Sequence, residues 1–170
     1  MNDTIKQVKI RPMVFSDLGA IAAIDQEVRA SGIPVSYSDA TAHKLFGIDA
    51  EKADPTKKPD ILEVAKLVDL GFVAEVAGIV RGFILGRQVY IAESDTQQGS
   101  IALIGVSPHY ERRGIAMKLV NALCELFHSR DILRISMSVD PTDHSALAFV
   151  ERAGFHGTRL LHFSKKCASQ

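Results

Sequence analysis

Apolar and polar positions alternate from Ile5 to Met13, with Ile5, Val8 and Ile10 set among polar neighbours, and this pattern predicts a half-buried strand. The spacing then lengthens: Leu18, Ile21, Ile24 and Val28 recur at helical intervals behind Ser16, a candidate N-terminal cap. Over residues 31–69 the period weakens, interrupted by Gly32-Ile33-Pro34 and by Asp54-Pro55-Thr56-Lys57-Lys58-Pro59, so this segment is expected to be helical in pieces and looped elsewhere. Leu70 to Tyr90 is rich in Val, Ile and Phe and is broken by Ala77-Gly78, the pattern of two antiparallel strands joined by a tight turn. A third strand is expected from Ile101 to Val106.

Beyond Pro108 the period becomes helical again, through Ile115, Leu119, Ala122, Leu123 and Leu126, and it stops near His128-Ser129-Arg130. Ile135, Met137 and Val139 alternate with Ser136 and Ser138, predicting a strand that Asp140-Pro141 ends. A short helix follows, capped by Asp143 or Ser145, with Ala146, Phe149, Val150 and Ala153 on its inner stripe and Gly154 as its left-handed C-terminal residue. Phe155 is expected to open the closing strands, through Leu160, Leu161 and Phe163. This order of elements predicts one α/β domain spanning residues 1–170, a mixed sheet with helices on its faces and no internal repeat.

Composition narrows the function classes. The 170 residues are 46% hydrophobic and carry 20 basic against 20 acidic side chains, an ordinary globular balance with no net field to recruit nucleic acid or a membrane. Cys124 and Cys167 stand far apart in unlike contexts, and neither they nor the histidines have metal-ligand spacing, so reduced thiols and no metal are expected. Neither a leader-like N-terminus nor a membrane-length apolar run is seen, so the expected location is the cytoplasm.

The stretch that carries chemistry is Ile104-Gly105-Val106-Ser107-Pro108-His109-Tyr110-Glu111-Arg112-Arg113-Gly114-Ile115-Ala116, a strand leading through a glycine turn into a helix. The first turn of a helix has unpaired N–H donors and the positive end of the helix dipole, so a diphosphate can rest there if no side chain obstructs it. Gly114 removes the obstruction and Ala116 nearly does. Dinucleotide chemistry would need Gly-x-Gly-x-x-Gly, a phosphate-binding loop would need Lys followed by Ser or Thr, and a serine hydrolase would need Gly-x-Ser-x-Gly; none is present.

This turn resembles the acetyl-coenzyme A signature of the Gcn5-related N-acetyltransferases: Gln or Arg, two residues, Gly, one residue, then Gly or Ala. Here it stands as Glu111, Arg112-Arg113, Gly114, Ile115 and Ala116. Downstream, Asp143 to Phe155 is similar to that family's Asn-x-x-Ala-x-x-Phe-Tyr-x-x-x-Gly-Phe helix. The resemblance implies a mixed, mostly antiparallel sheet with helices on both faces and central strands splayed around the pantetheine arm. Val106 would contact that arm, and backbone groups of Ile104, Gly105 and Val106 would face the acetyl group and pantetheine amides. Amides of Arg112, Arg113, Gly114, Ile115, Ala116 and Met117 would hold the diphosphate, with Asp143 and Phe149 completing the site.

By the same resemblance, the activity would be direct transfer of an acetyl group from acetyl-CoA to an amine. A small molecule is the expected acceptor; a protein N-terminus, a lysine, or plain acyl-CoA binding without transfer are the alternatives, and pairing of two copies stays open. No catalytic residue is assigned. Val150 stands where many members carry a tyrosine that protonates the leaving thiolate, and Ser138 where N-terminal acetyltransferases often offer a basic glutamate. Glu93, Asp95 and His144 are the candidate replacements, each acting through water. Residues 31–69 and the hairpin from Ala92 to Gly99 are expected to read the acceptor.

Overall fold

The computed structural model describes residues 7–32, 61–91 and 96–157. Five strands form one sheet in the order β1-β2-β3-β4-β5. They are β1 (Val8–Pro12), β2 (Gly71–Val76), β3 (Ile79–Ile91), β4 (Thr96–Val106) and β5 (Ile135–Ser136). The first three pairings are antiparallel and the last, β4 with β5, is parallel, so the sheet is mixed and mostly antiparallel. Ala77 and Gly78, at φ 54° and 77°, turn β2 into β3. Two successive left-handed residues give a two-residue turn whose twist suits a hairpin.

Helices cover both faces because each central strand alternates its apolar residues between two cores. Ala74, Val76 and Ile84 pack with Ile115, Leu119, Leu123 and Phe127 of α3 (Ile115–His128). Val73, Phe83 and Leu85 face the other way, against Ile21 and Ile24 of α1 (Leu18–Ala30) and Val68 of α2 (Ile61–Asp69). A last helix, α4 (His144–Arg152), has half-buried Phe149 against the α3 core. Close helix-to-sheet approach depends on glycine: a Cβ on Gly99 would lie 2.7 Å from the Phe127 ring, and one on Gly86 would lie 2.8 Å from Leu123 Cδ1.

Three sequence expectations are corrected. Ser16 does not cap α1; it lies inside a short 3-10 turn, Phe15–Asp17, and Asp17 precedes the helix. Asp17 also gives the helix no side-chain bond, because Arg11 donates to its two carboxylate oxygens at 2.7 and 2.8 Å and the Val14 N–H donates at 2.9 Å. The strand expected through Val139 is only Ile135–Ser136, since β4 offers it partners at Gly99 and Ser100 alone. Phe155 is not in a strand, and Leu160, Leu161 and Phe163 lie outside the described residues, as does most of 31–69.

Arg11 joins three elements, because its Nε also donates to Glu75 Oε1 on β2 at 2.7 Å. Its bonds hold the Asp17 carboxyl below the usual carboxylate range, aided by the Val14 N–H and opposed by burial. A folded-state pKa below the unfolded one contributes stability that is present above about pH 4 and is lost as pH falls through the folded value. Asp17→Asn should therefore be less stable than wild type by about 1 to 2 kcal/mol at neutral pH. The gap should hold above about pH 5 and narrow below about pH 4, which denaturant unfolding across pH checks. A gap that stayed constant down to pH 3 would contradict this role.

Candidate functional site

The site begins with one extra residue. Leu85 pairs with Leu103 and Gly86 with Ile101, so Ala102 is unmatched and forms a bulge in β4. Its effect shows in the side chains: Ala102 and Leu103 both pack on the α1 side, whereas Ile101, Ile104 and Val106 pack on the α3 side. The bulge therefore inverts the phase of β4 beyond it. The Ser107 N–H donates to the Arg81 carbonyl at 2.8 Å, so by alternation Gly105 directs its own backbone groups at β3. Ile104 and Val106 direct theirs to the opposite edge.

That edge is open. β5 pairs with β4 only at Gly99 and Ser100, where the Gly99 N–H donates to the Arg134 carbonyl at 2.8 Å. From Ile101 to Val106 no described strand lies alongside, and a cleft of about 1390 Å³ follows this edge. Gly105 has a packing reason as well as a place on the wall: a Cβ there would lie 2.7 Å from the Phe83 ring, which is wholly buried.

At the cleft's other end, Arg112 and Gly114 both adopt left-handed conformations, with φ of 58° and 75°. α3 starts directly afterwards, and the Lys118 N–H donates to the Gly114 carbonyl at 3.1 Å. The N–H groups of Ile115, Ala116 and Met117 thus precede the first bond within the helix and are available to an anion. Backbone turns with left-handed residues gather N–H groups into an anion-binding concavity. A Cβ on Gly114 would meet no atom of the described residues beyond its chain neighbours within 4 Å, so they leave room beside it.

The third wall is the start of α4. Asp143, 5% exposed, accepts from the Ala146 N–H at 2.9 Å and is the cap; Ser145 lies inside the helix. Before it, the Asp140 carboxylate accepts from the Thr142 hydroxyl at 2.6 Å and the Thr142 N–H at 2.8 Å, which hold its pKa down and fix the approach to the helix. Gly154, at φ 82°, ends the helix as its spacing predicts.

Ile104, Gly105, Val106, Arg112, Gly114, Ile115, Ala116, Met117, Asp143 and Phe149 all border the cleft. The Ile115 side chain is in the core, so its contribution is the N–H. Arg113 is not on the wall: its guanidinium lies over the Tyr110 ring at 5.1 Å, where Arg81 also stacks at 4.9 Å. Ser138 and His144 border the cleft and Val150 does not, while Glu93 and Asp95 lie outside the described residues. Cys124 is half-buried in α3, with its thiol pushed up by burial and by the charge of Glu125.

Two neighbours of the site escaped the sequence. Tyr110 borders the cleft, and Glu27 accepts a 2.6 Å bond from the Ser107 hydroxyl. Tyr110 sits within the motif and could have been found from its position; Glu27 and Ser107 are 80 residues apart, and no local pattern pairs them. Among the described residues no group of His, Cys, Asp and Glu could hold a metal ion, and no helix is long and apolar enough to cross a membrane.

Known proteins share this fold. The chain is similar over 98% of its length to all of an aminoglycoside N-acetyltransferase, AAC(6')-Iy, solved with CoA, at 17% identity and a TM-score of 0.67. It is similar over 98% of its length to 99% of the aminoglycoside acetyltransferase meta-AAC0020 from an uncultured soil metagenomic sample, solved with trehalose, at 18% identity and a TM-score of 0.64. A ribosomal-protein-alanine N-acetyltransferase from Brucella melitensis biovar Abortus 2308 is matched over its full length by 95% of the chain, at 14% identity and a TM-score of 0.62. The model of the acetyltransferase (GNAT) family matches residues 40–155, well over half of the chain and inclusive of the β4 edge, the Gly114 turn and α4. With the splayed strands and the free helix start in one cleft, that match makes the chain a member of the acetyltransferase (GNAT) family.

Proposed function

We propose that this protein transfers the acetyl group of acetyl-CoA directly to an amine of a small molecule. The observation that carries the reading is one continuous cleft joining the free N–H groups at the start of α3 to the unpaired edge of β4. Those two ends suit the two unlike parts of coenzyme A, a diphosphate and an amide-bearing arm. Solved structures of similar fold include aminoglycoside acetyltransferases, which supports a small-molecule amine over a protein.

Acetyl-CoA supplies an activated acetyl thioester. The chain's own part is positioning. Amides of Arg112 and of Gly114 to Met117 hold the diphosphate on the α3 dipole, with Gly114 leaving room. Backbone groups of Ile104 and Val106 bond the arm as a strand would, and Phe149 of α4 borders the cleft across from them. A Val106 N–H aimed at the thioester oxygen stabilises the charge that develops during attack, an effect of about 3 kcal/mol for one such donor. Holding the amine against the thioester contributes roughly 7 to 11 kcal/mol. Asp143 is committed to its cap, so it orders the α4 wall.

The test is a mass-spectrometric screen for acetylated products, with acetyl-CoA and a mixed library of polyamines, amino acids, aminoglycosides and peptides. Acetylated small amines are expected. Acetyl-CoA binding without any product would favour a sensing module, and acetylated peptides alone would favour a protein acceptor.

A further inference from the structure

We propose that Glu27 is the carboxylate that seats the cationic nitrogen of the acceptor, and that it selects aliphatic amines which are charged at neutral pH. The inference rests on the acetyl-transfer reading above. Glu27 lies in the last turns of α1, and its neighbour Val28 borders the cleft together with Ile104, Gly105 and Val106. Ser107 follows Val106 directly, so a carboxylate bonded to Ser107 stands just past the end of β4, beside the cleft.

The bond between them is short and between unlike elements. Ser107 is 1% exposed, and its hydroxyl donates to Glu27 Oε2 at 2.6 Å. A hydroxyl donating to an ionised oxygen makes a strong, directional bond that restricts the carboxylate without neutralising it. Oε1 keeps its lone pairs and has no partner among the described residues. Two turns of the same helix show the contrast: Asp25 is paired with Arg29 at 2.9 Å, whereas Glu27 is in no ion pair among the described residues. Arg81, whose carbonyl accepts from the Ser107 N–H, stacks on Tyr110 and makes no ion pair with Glu27, and its buried Nε has no hydrogen-bond partner among the described residues.

Glu27 and Ser107 stand beside the cleft, next to its wall residues Val28 and Val106. Free N–H groups at the start of α3 suit an anion, and an oriented, uncompensated carboxylate at the end of β4 suits a cation. An ammonium donating to Oε1 would complete the pair. The same carboxylate would face the nitrogen again once it has attacked the thioester, when it carries positive charge before losing its proton.

Steady-state kinetics of the full-length protein test this, using an aliphatic amine found by the screen. Glu27→Gln keeps an acceptor oxygen for Ser107 and removes only the charge. KM for the amine should rise about tenfold or more, as expected for loss of a charged hydrogen bond. The kcat should change by less than about threefold, and acetyl-CoA affinity by calorimetry should be unchanged. Ser107→Ala, which frees the carboxylate to wander, should raise the same KM by less. Wild-type turnover with an unchanged amine KM in Glu27→Gln would overturn the inference alone, as would an equal loss of acetyl-CoA affinity, which would mark a structural role. Wild type turning over no amine at all would overturn the reading it rests on, and the inference with it.

Discussion

A Gly114→Glu protein should fold and yet bind acetyl-CoA about a hundredfold more weakly, or worse. The fold should survive because a Cβ at this position meets no atom of the described residues beyond its chain neighbours within 4 Å. What the substitution costs the fold is the left-handed backbone, φ 75°, at roughly 1 to 2 kcal/mol. What it costs the ligand is larger. The new carboxylate stands at the start of α3, among the N–H groups expected to hold the diphosphate, and presents like charge to it. Losing two charge-assisted hydrogen bonds is worth about 3 kcal/mol or more, hence the hundredfold. Gly114→Asn is the control, since Asn tolerates the same backbone and adds no charge. Calorimetry on both, with circular dichroism for the fold, decides the matter: unchanged affinity in the Glu variant would remove the turn from the binding site.

The second large effect is on pH dependence. Val150 cannot exchange a proton and does not border the cleft, and Ser138, which does, carries no base. Glu27 holds a positive nitrogen rather than neutralising it, so attack still waits for the uncharged amine. An aliphatic ammonium titrates near pH 10, as a lysine side chain does. The kcat/KM should then rise about tenfold per pH unit from about 6.5 to 8.5, a hundredfold in all, and level only near the amine's own pKa. Amines of lower pKa should level earlier. A plateau near pH 7 whatever the amine would identify an enzyme base, and His144, on the wall of the cleft, would be the first to replace.

Much of this was legible because the signals are local. Ala77-Gly78, the helical spacing of Ile115 to Leu126 and Gly154 as terminator each depend on a few neighbouring residues, and each is where the pattern puts it, while the cap falls to Asp143 of the two candidates Asp143 and Ser145. The turn from Arg112 to Ala116 is local too, and its backbone is set by glycine chemistry. Three things were not legible. Arg11 reaches over six residues to take Asp17 and over 64 to take Glu75, and Ser16, suited to a cap by residue type, lies inside the 3-10 turn that ends at Asp17. Alternation past Ser136 reads as a strand, but a strand needs a partner, and among the described residues none pairs with Met137. Gly105, with backbone groups expected to face the acetyl group and pantetheine, directs them at β3 instead, and its missing side chain makes room for the ring of Phe83 from that strand.

The unmatched residue Ala102 makes counting in this strand a matter of odd and even. A strand repeats every two residues, so removing or inserting one residue between Ile101 and Ile104 exchanges the roles of all that follow. Gly105 would then offer its N–H and C=O to the cleft while Ile104 and Val106 bonded to β3, and their side chains would leave the α3 core for the α1 side. A change of two residues would shorten or lengthen the strand and restore the order. Length here is constrained by parity before it is constrained by size.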